Sequence, residues 1–139
     1  MTWYINGEEF SIEGNEDYAG FVYEITDLTT GKKYIGKKKA WSTRMLKPLK
    51  GQKRKRKKVI ESDWKDYYGS SEEVKALVAE SGRDRFRREI LRLCKTTAEM
   101  SYFEMRHQML NDVLLKPDEF YNKFVGGKIH ANHLKHLWK

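Results

Sequence analysis

One carboxylate and one run of cations hold most of the chemistry legible in this sequence. Glu104 lies one position after Phe103 and four after Met100, at the edge of a stripe of apolar residues spaced by three and four. A carboxylate on such an edge loses hydration and needs a partner. An ion pair with one of the many Arg or Lys residues would satisfy it. So would a divalent cation that keeps several waters and takes a further ligand from substrate phosphate. Lys37 to Lys58 contains twelve Lys or Arg and no Asp or Glu, so this segment carries +12 and the rest of the chain −4, within a net charge of +8. Charge gathered in this way builds a local positive field that attracts polyphosphates, DNA foremost. A solvated basic loop is the plain alternative; an anionic membrane surface is a weaker one, because the run lacks interleaved bulky apolar residues. A carboxylate able to hold Mg²⁺ or Mn²⁺ beside a basic groove is a nuclease arrangement.

The same inventory excludes other chemistries. One Cys, Cys94, and four His, namely His107, His130, His133 and His136, include no Cys-x-x-Cys pair, which leaves no zinc site of the usual spacing. The three histidines near the C-terminus read as a solvated tail in preference to a metal site. No Gly-rich phosphate loop is present, which disfavours a nucleotide-driven enzyme. A single cysteine cannot form an internal disulfide, and no apolar run approaches the roughly 18 residues of a membrane span. The start, Met-Thr-Trp-Tyr-Ile-Asn-Gly-Glu-Glu, lacks the basic and apolar stretches of a signal peptide. A cytoplasmic protein with no membrane partner is expected.

The elements that must position these groups follow from local patterns. Eight Tyr and four Trp in 139 residues are too many aromatics for a disordered chain. Residues 1–19 read as an acidic extension with a tight turn at Asn6-Gly7. Gly20 to Asp27 and Lys32 to Gly36, joined through Leu28-Thr29-Thr30-Gly31, predict a β-hairpin with Phe21, Tyr23 and Ile25 on one face and Tyr34 on the partner strand. Residues 41–50 read as the start of a helix limited by Pro48, and Lys50 to Lys58 as a mobile loop or a helix ordered on binding. Ser70 with Glu73 marks a helix N-terminus running to about Ser81-Gly82; Thr96 with Glu99 marks another, bearing the stripe Met100, Phe103, His107, Leu110 and Leu114. Between them, Arg85 to Leu93 fits a helical and a strand period equally.

Phe21-Val22-Tyr23, a ten-residue gap, Tyr34-Ile35-Gly36 and then Arg44 ten positions after Tyr34 resemble the signature of the GIY-YIG nucleases, closest in flavour to phage Seg-type homing endonucleases. Glu104, in Tyr-Phe-Glu-Met-Arg-His-Gln, matches the family's metal-ligating glutamate, and Tyr121-Asn122 its late asparagine. The resemblance spans about Gly20 to Lys123. It implies an α/β fold, a small, mainly antiparallel three-stranded sheet flanked by helices, with Arg85 to Leu93 as the third strand. It also implies roles: Tyr34 activates the nucleophile, Tyr23 orients water or phosphate, Arg44 clamps a phosphate oxygen with its fork of donors, and Glu104 holds Mg²⁺ or Mn²⁺ near the leaving oxygen. Lys37 sits where some relatives use a lysine to favour phenolate at the tyrosine, although it also reads as one of three exposed lysines. The chain departs from the pattern at Phe21, where the motif has Gly, and at Pro48, where relatives carry His or Tyr. Tyr67 or Tyr68 is the candidate to replace that missing group.

The expectation is a divalent-metal-dependent DNA endonuclease of a phage or mobile element, with 1–19 as an extension, 20–123 as the nuclease domain and 124–139 as a basic tail. Lys50, Lys53, Arg54, Lys55, Arg56, Lys57 and Lys58 are expected to contact DNA. Two rivals stand beside it: a nucleic-acid-binding module that keeps the fold without activity, and a basic scaffolding protein whose hairpin resembles the nuclease by chance.

Overall fold

A computed structural model describes residues 2–126 and 131–138. In chain order the elements are β1 (Trp3–Ile5), β2 (Glu8–Glu9), β3 (Gly20–Asp27), β4 (Lys33–Lys39), β5 (Trp41–Leu46), β6 (Arg56–Glu61), α1 (Glu72–Ser81), β7 (Phe86–Cys94) and α2 (Thr97–Leu110), followed by a 3-10 turn at Ala131–Leu137. The expected antiparallel trio is present as β7-β3-β4, but the sheet is larger and mixed: β1 adds to β7 in parallel and β2 closes the far edge, in the order β2-β1-β7-β3-β4. The acidic N-terminal segment is therefore part of the sheet. Asn6 and Gly7 make its turn with φ of 51° and 82°, as an Asn-Gly hairpin requires, and Trp3 is buried with its indole N–H donating to the Trp64 carbonyl at 2.7 Å.

Period-two alternation on β3 splits the interior in two. Phe21, Tyr23 and Ile25 face a core with Trp3, Trp64, Val74 of α1 and Phe86, whereas Val22 faces Ile35, Cys94, Met100 and Phe103 beneath α2. Burial pushes the Cys94 thiol up to about 12, so this cysteine packs as an inert apolar group. Between the pairs Val22–Arg92 and Tyr23–Ile90 the register shifts, leaving Leu91 of β7 as the extra residue of a bulge.

Three local expectations are revised. Residues 41–46 and 56–61 form no helix but pair as a separate antiparallel ribbon, β5-β6, because Trp41, Thr43, Val59 and Ile60 favour extended backbone and nothing acidic offers a helix its i,i+4 partners; the expected loop is confined to 47–55 at its tip. The cap of α1 is Ser71, whose Oγ accepts from Val74 N at 3.3 Å, one residue beyond the expected Ser70. On α2 the Thr96 cap holds and Met100 and Phe103 are buried, but Leu110 and Leu114 are exposed. Asn111 and the left-handed Asp112, at φ 49°, end the helix there, and Val113 turns back into the core in their place. The buried face of α2 instead carries the polar Glu99 and Gln108. Of the tail, Gly127 to His130 and Lys139 lie outside the described residues. His136 approaches Glu99 Oε2 at 3.3 Å, so it meets the body of the protein and is not a free solvated group.

Candidate active site

β4 is the edge strand of the sheet, and the site is built around its free edge. After a backbone bridge between Lys33 and Phe120, Asn122 takes the place that a sixth strand would fill. Its Oδ1 accepts from Ile35 N at 3.0 Å and its Nδ2 donates to Ile35 O at 2.8 Å, while Gln108 Nε2 donates to the same carbonyl at 2.9 Å. The residue between Tyr34 and Gly36 is thus clamped from both sides. One step along, the Lys37 backbone amide lies close enough to the Glu104 carboxylate to lower its pKa.

On one face of β4 stand Tyr34 and Gly36. Tyr23 lies directly opposite Gly36, and a Cβ at that glycine would sit 2.5 Å from the Tyr23 hydroxyl. Gly36 is therefore required by the close approach of a phenol. Tyr23 is fully buried, and its hydroxyl interacts with Tyr67 without reaching the geometry of a formed hydrogen bond. Tyr67 meets the Tyr23 ring edge-on at 6.0 Å and carries the Lys38 ammonium 4.2 Å above its own ring. Tyr68 turns away into the core beneath the Arg88 guanidinium. Of the two tyrosines considered for the group missing at Pro48, Tyr67 is the one beside the site.

Tyr34, Lys37, Glu104 and Gln108 line one open cleft of ≈ 670 Å³ with the N-terminus of α1 and residues 121–126. The Tyr34 hydroxyl shares a 2.7 Å hydrogen bond with Ser70 Oγ, and Lys37 Nζ donates to Ser101 Oγ of α2 at 2.6 Å. Burial raises the Tyr34 pKa against the opposing effect of Ser70, and Tyr67 and Glu104 raise it further. Burial pushes Tyr23 well above the ordinary phenol. Burial also raises Glu104, only partly offset by Lys37 and its amide. No ion pair of Glu104 exists among the described residues. The nearest cation is Lys37, whose charge acts on Glu104 across the cleft while its Nζ is bonded to Ser101.

Arg44 stands elsewhere. It is exposed on β5 opposite Lys58 and lines neither this cleft nor the neighbouring one, because the chain leaves the sheet after Lys39 and carries Arg44 out along the ribbon. Lys50 to Lys58 occupy the ribbon's tip and its return strand, all exposed. Ser70 and Gln108 were not singled out by sequence. Gln108 was within reach of inference, since it lies four residues after Glu104 on the same helical face. Ser70 was read as a helix cap, and nothing in the sequence points it at Tyr34.

Among the described residues no three His, Cys, Asp or Glu side chains gather as a metal cage. A half-buried carboxylate that forms no ion pair among the described residues, in an open cleft, fits a hard divalent ion that retains most of its water. The profile of a family described as "Putative endonuclease segE, GIY-YIG domain" matches residues 3–125. Among curated proteins the chain is similar to the "Putative endonuclease segE" of Enterobacteria phage T4, 31% identical over 108 residues that cover 77% of this chain and 42% of the relative. The chain thus spans less than half the length of the curated relative it matches. No solved structure matches.

Proposed function

Because the chain belongs to the GIY-YIG family of segE-type endonuclease domains, we propose that it is a metal-dependent endonuclease that hydrolyses DNA phosphodiester bonds, of the homing kind carried by phages and mobile elements. The observation that carries this reading is Glu104: desolvated, unpaired with any cation among the described residues, and lining one cleft with Tyr34 and Lys37.

A phosphodiester resists hydrolysis because its charge repels nucleophiles and its leaving group is poor, so the site must position water and neutralise a more negative transition state. Tyr34, fixed by Ser70, presents a phenol to the cleft; with its pKa raised it is protonated at neutral pH, and it orients the attacking water by hydrogen bonding. Tyr23 acts from beneath through its unsatisfied hydroxyl and the close packing over Gly36. The Lys37 ammonium adds positive charge where phosphate arrives, and Arg44 contributes from the ribbon as a phosphate contact. Glu104 would hold Mg²⁺ or Mn²⁺, which supplies Lewis-acid charge to the phosphate oxygens. Asn122 and Gln108 act on none of the reacting atoms; they fix β4 so that Tyr34, Gly36 and Lys37 stay in register.

Relaxation of supercoiled plasmid with and without Mg²⁺ tests the proposal. Mg²⁺-dependent nicking or linearisation is expected. Folded protein that binds DNA but leaves the plasmid intact with both Mg²⁺ and Mn²⁺ would instead establish the inactive binding module.

A further inference from the structure

Among the described residues, the β5-β6 ribbon is the one element whose strands pair only with each other. Each strand is six residues, roughly 20 Å long, and no second layer covers it. A bare two-stranded hairpin is marginal in water, and this one also sets Arg44 directly opposite Lys58, with Arg56 on the same face. Like charges in register weaken a strand pair. No acid on the ribbon answers them: Glu61, at its base, pairs with Lys65 and accepts from the Trp64 indole. The base itself is firmly tied, through Trp41 Nε1 to Tyr18 O at 3.1 Å and Ser62 N to Ala40 O at 2.9 Å. A rigidly rooted, extended element with concentrated and uncompensated positive charge is built for a polyanion.

The placement of its faces says how that polyanion lies. Ser42 and Ile60, on the Arg44 face near the base, line a second cleft of ≈ 540 Å³ with Lys37, Lys38 and Lys39 and with two acids already ion-paired, Asp63 to Lys38 and Glu61 to Lys65. Lys37 also lines the cleft of Tyr34 and Glu104. Lys37 therefore joins the cleft of Tyr34 and Glu104 to this second cleft, from whose far side the ribbon carries Arg44, Lys58 and Arg56 outward. Resting on the nuclease reading for its catalytic end, we infer that the ribbon is an arm that enters the major groove of duplex DNA, with the Arg44–Lys58–Arg56 face inward. The major groove of B-form DNA admits a two-stranded ribbon and offers guanine acceptors to Arg and Lys. The major groove of an RNA duplex is too deep and narrow for it, and single strands have no groove to fill. The chain accordingly selects double-stranded DNA, with Arg44 serving at the groove and not in the cleft.

Binding is measured in EDTA, so that cleavage plays no part, against short random-sequence duplex DNA, duplex RNA and single-stranded DNA of equal length over a salt series. Duplex DNA is expected to bind at least about tenfold tighter than the other two. Arg44→Gln with Lys58→Gln should weaken duplex binding at least about tenfold and flatten the slope of log K against log salt by roughly two. Methylation of guanine N7, which obstructs the major groove alone, should interfere with wild-type binding. Equal affinity for RNA or single strands, an unchanged slope in the double variant, or indifference to N7 methylation each overturns the inference. Absence of cleavage with Mg²⁺ while these binding results hold overturns the catalytic reading and leaves the arm. Cleavage retained while they fail removes the arm and leaves the catalytic reading.

Discussion

At Glu104, burial and function pull in opposite directions. A carboxylate whose folded pKa is raised above its unfolded value contributes stability only at low pH, and that contribution is lost as pH rises through the folded value. At neutral pH the ionised Glu104 is therefore a cost to the fold. Glu104→Gln should leave the melting temperature unchanged or higher, retain DNA binding, and slow Mg²⁺-dependent cleavage at least about a hundredfold. Thermal unfolding, binding and cleavage on one preparation check all three; a loss of about 3 kcal/mol would reveal a buried ion pair instead. Cleavage should also fall as pH drops through the raised Glu104 pKa, above the range where an exposed glutamate titrates, and a pH–rate profile reads this directly. Gly36→Ala tests the packing around Tyr23. Its Cβ would meet the Tyr23 hydroxyl at 2.5 Å, so the variant should lose about 1–3 kcal/mol and more activity than that loss explains, by denaturant melts and cleavage together.

Among the elements, the β3–β4 hairpin was legible because two signals agreed. Alternation placed Phe21, Tyr23 and Ile25 on one face, to which the register adds Tyr34, and Gly31 supplied the left-handed residue, at φ 79°, that the turn needs. What closes this turn was not legible. Asp27, fully buried, accepts from Arg85 Nε at 2.9 Å and Nη2 at 2.8 Å, from the Tyr121 hydroxyl and from Thr29 N at 2.9 Å, partners up to 94 residues away. Burial alone would raise its pKa, but the guanidinium, the phenol and the turn amides together hold it well below the usual carboxylate range. Its stabilisation is present above the ordinary aspartate pKa and is lost as pH falls through it toward the folded value. Asp27→Asn should cost about 3 kcal/mol at neutral pH and flatten the acid limb of a stability–pH curve. The Arg85–Leu93 segment shows the opposite limit, since its period suited helix and strand alike and only pairing on both sides, with β1 and β3, fixes it as β7. The ribbon escaped for a third reason: Lys and Arg carry no periodic signal, so a strand made of them looks like a loop. Neutralising Lys53, Arg54, Lys55 and Arg56 together should reduce DNA affinity across all sequences and flatten its salt dependence, with the melting temperature held; titrations across a salt series measure both.

For the whole molecule, the sheet divides two cores and the site straddles the edge between them, with Tyr34 on the α1 side and Glu104 reaching round from α2. The sequence motifs named most of the residues gathered there, because they sit on or against one hairpin and one helix. They did not place Arg44, whose position depends on where the chain goes after the sheet ends, nor Ser70, which is brought in by a loop. The edge arrangement has a consequence for solubility. An unpaired strand edge is a template on which another copy of the chain can add a strand, and most proteins guard such edges with charge, bulges or a covering loop. Here the chain at Glu119 to Tyr121 pairs with Lys33 at the start of β4, and beyond it the guard is the Asn122 amide, engaging both the N–H and the C=O of Ile35. Asn122→Ala would expose both groups at the centre of β4, leaving Gln108 to cover the carbonyl alone. The variant should self-associate through edge-to-edge pairing on standing or mild heating, seen as growing light scattering and thioflavin-T fluorescence where the wild type stays clear. A polar contact that keeps β4 in register would then also be what keeps separate copies of this protein apart.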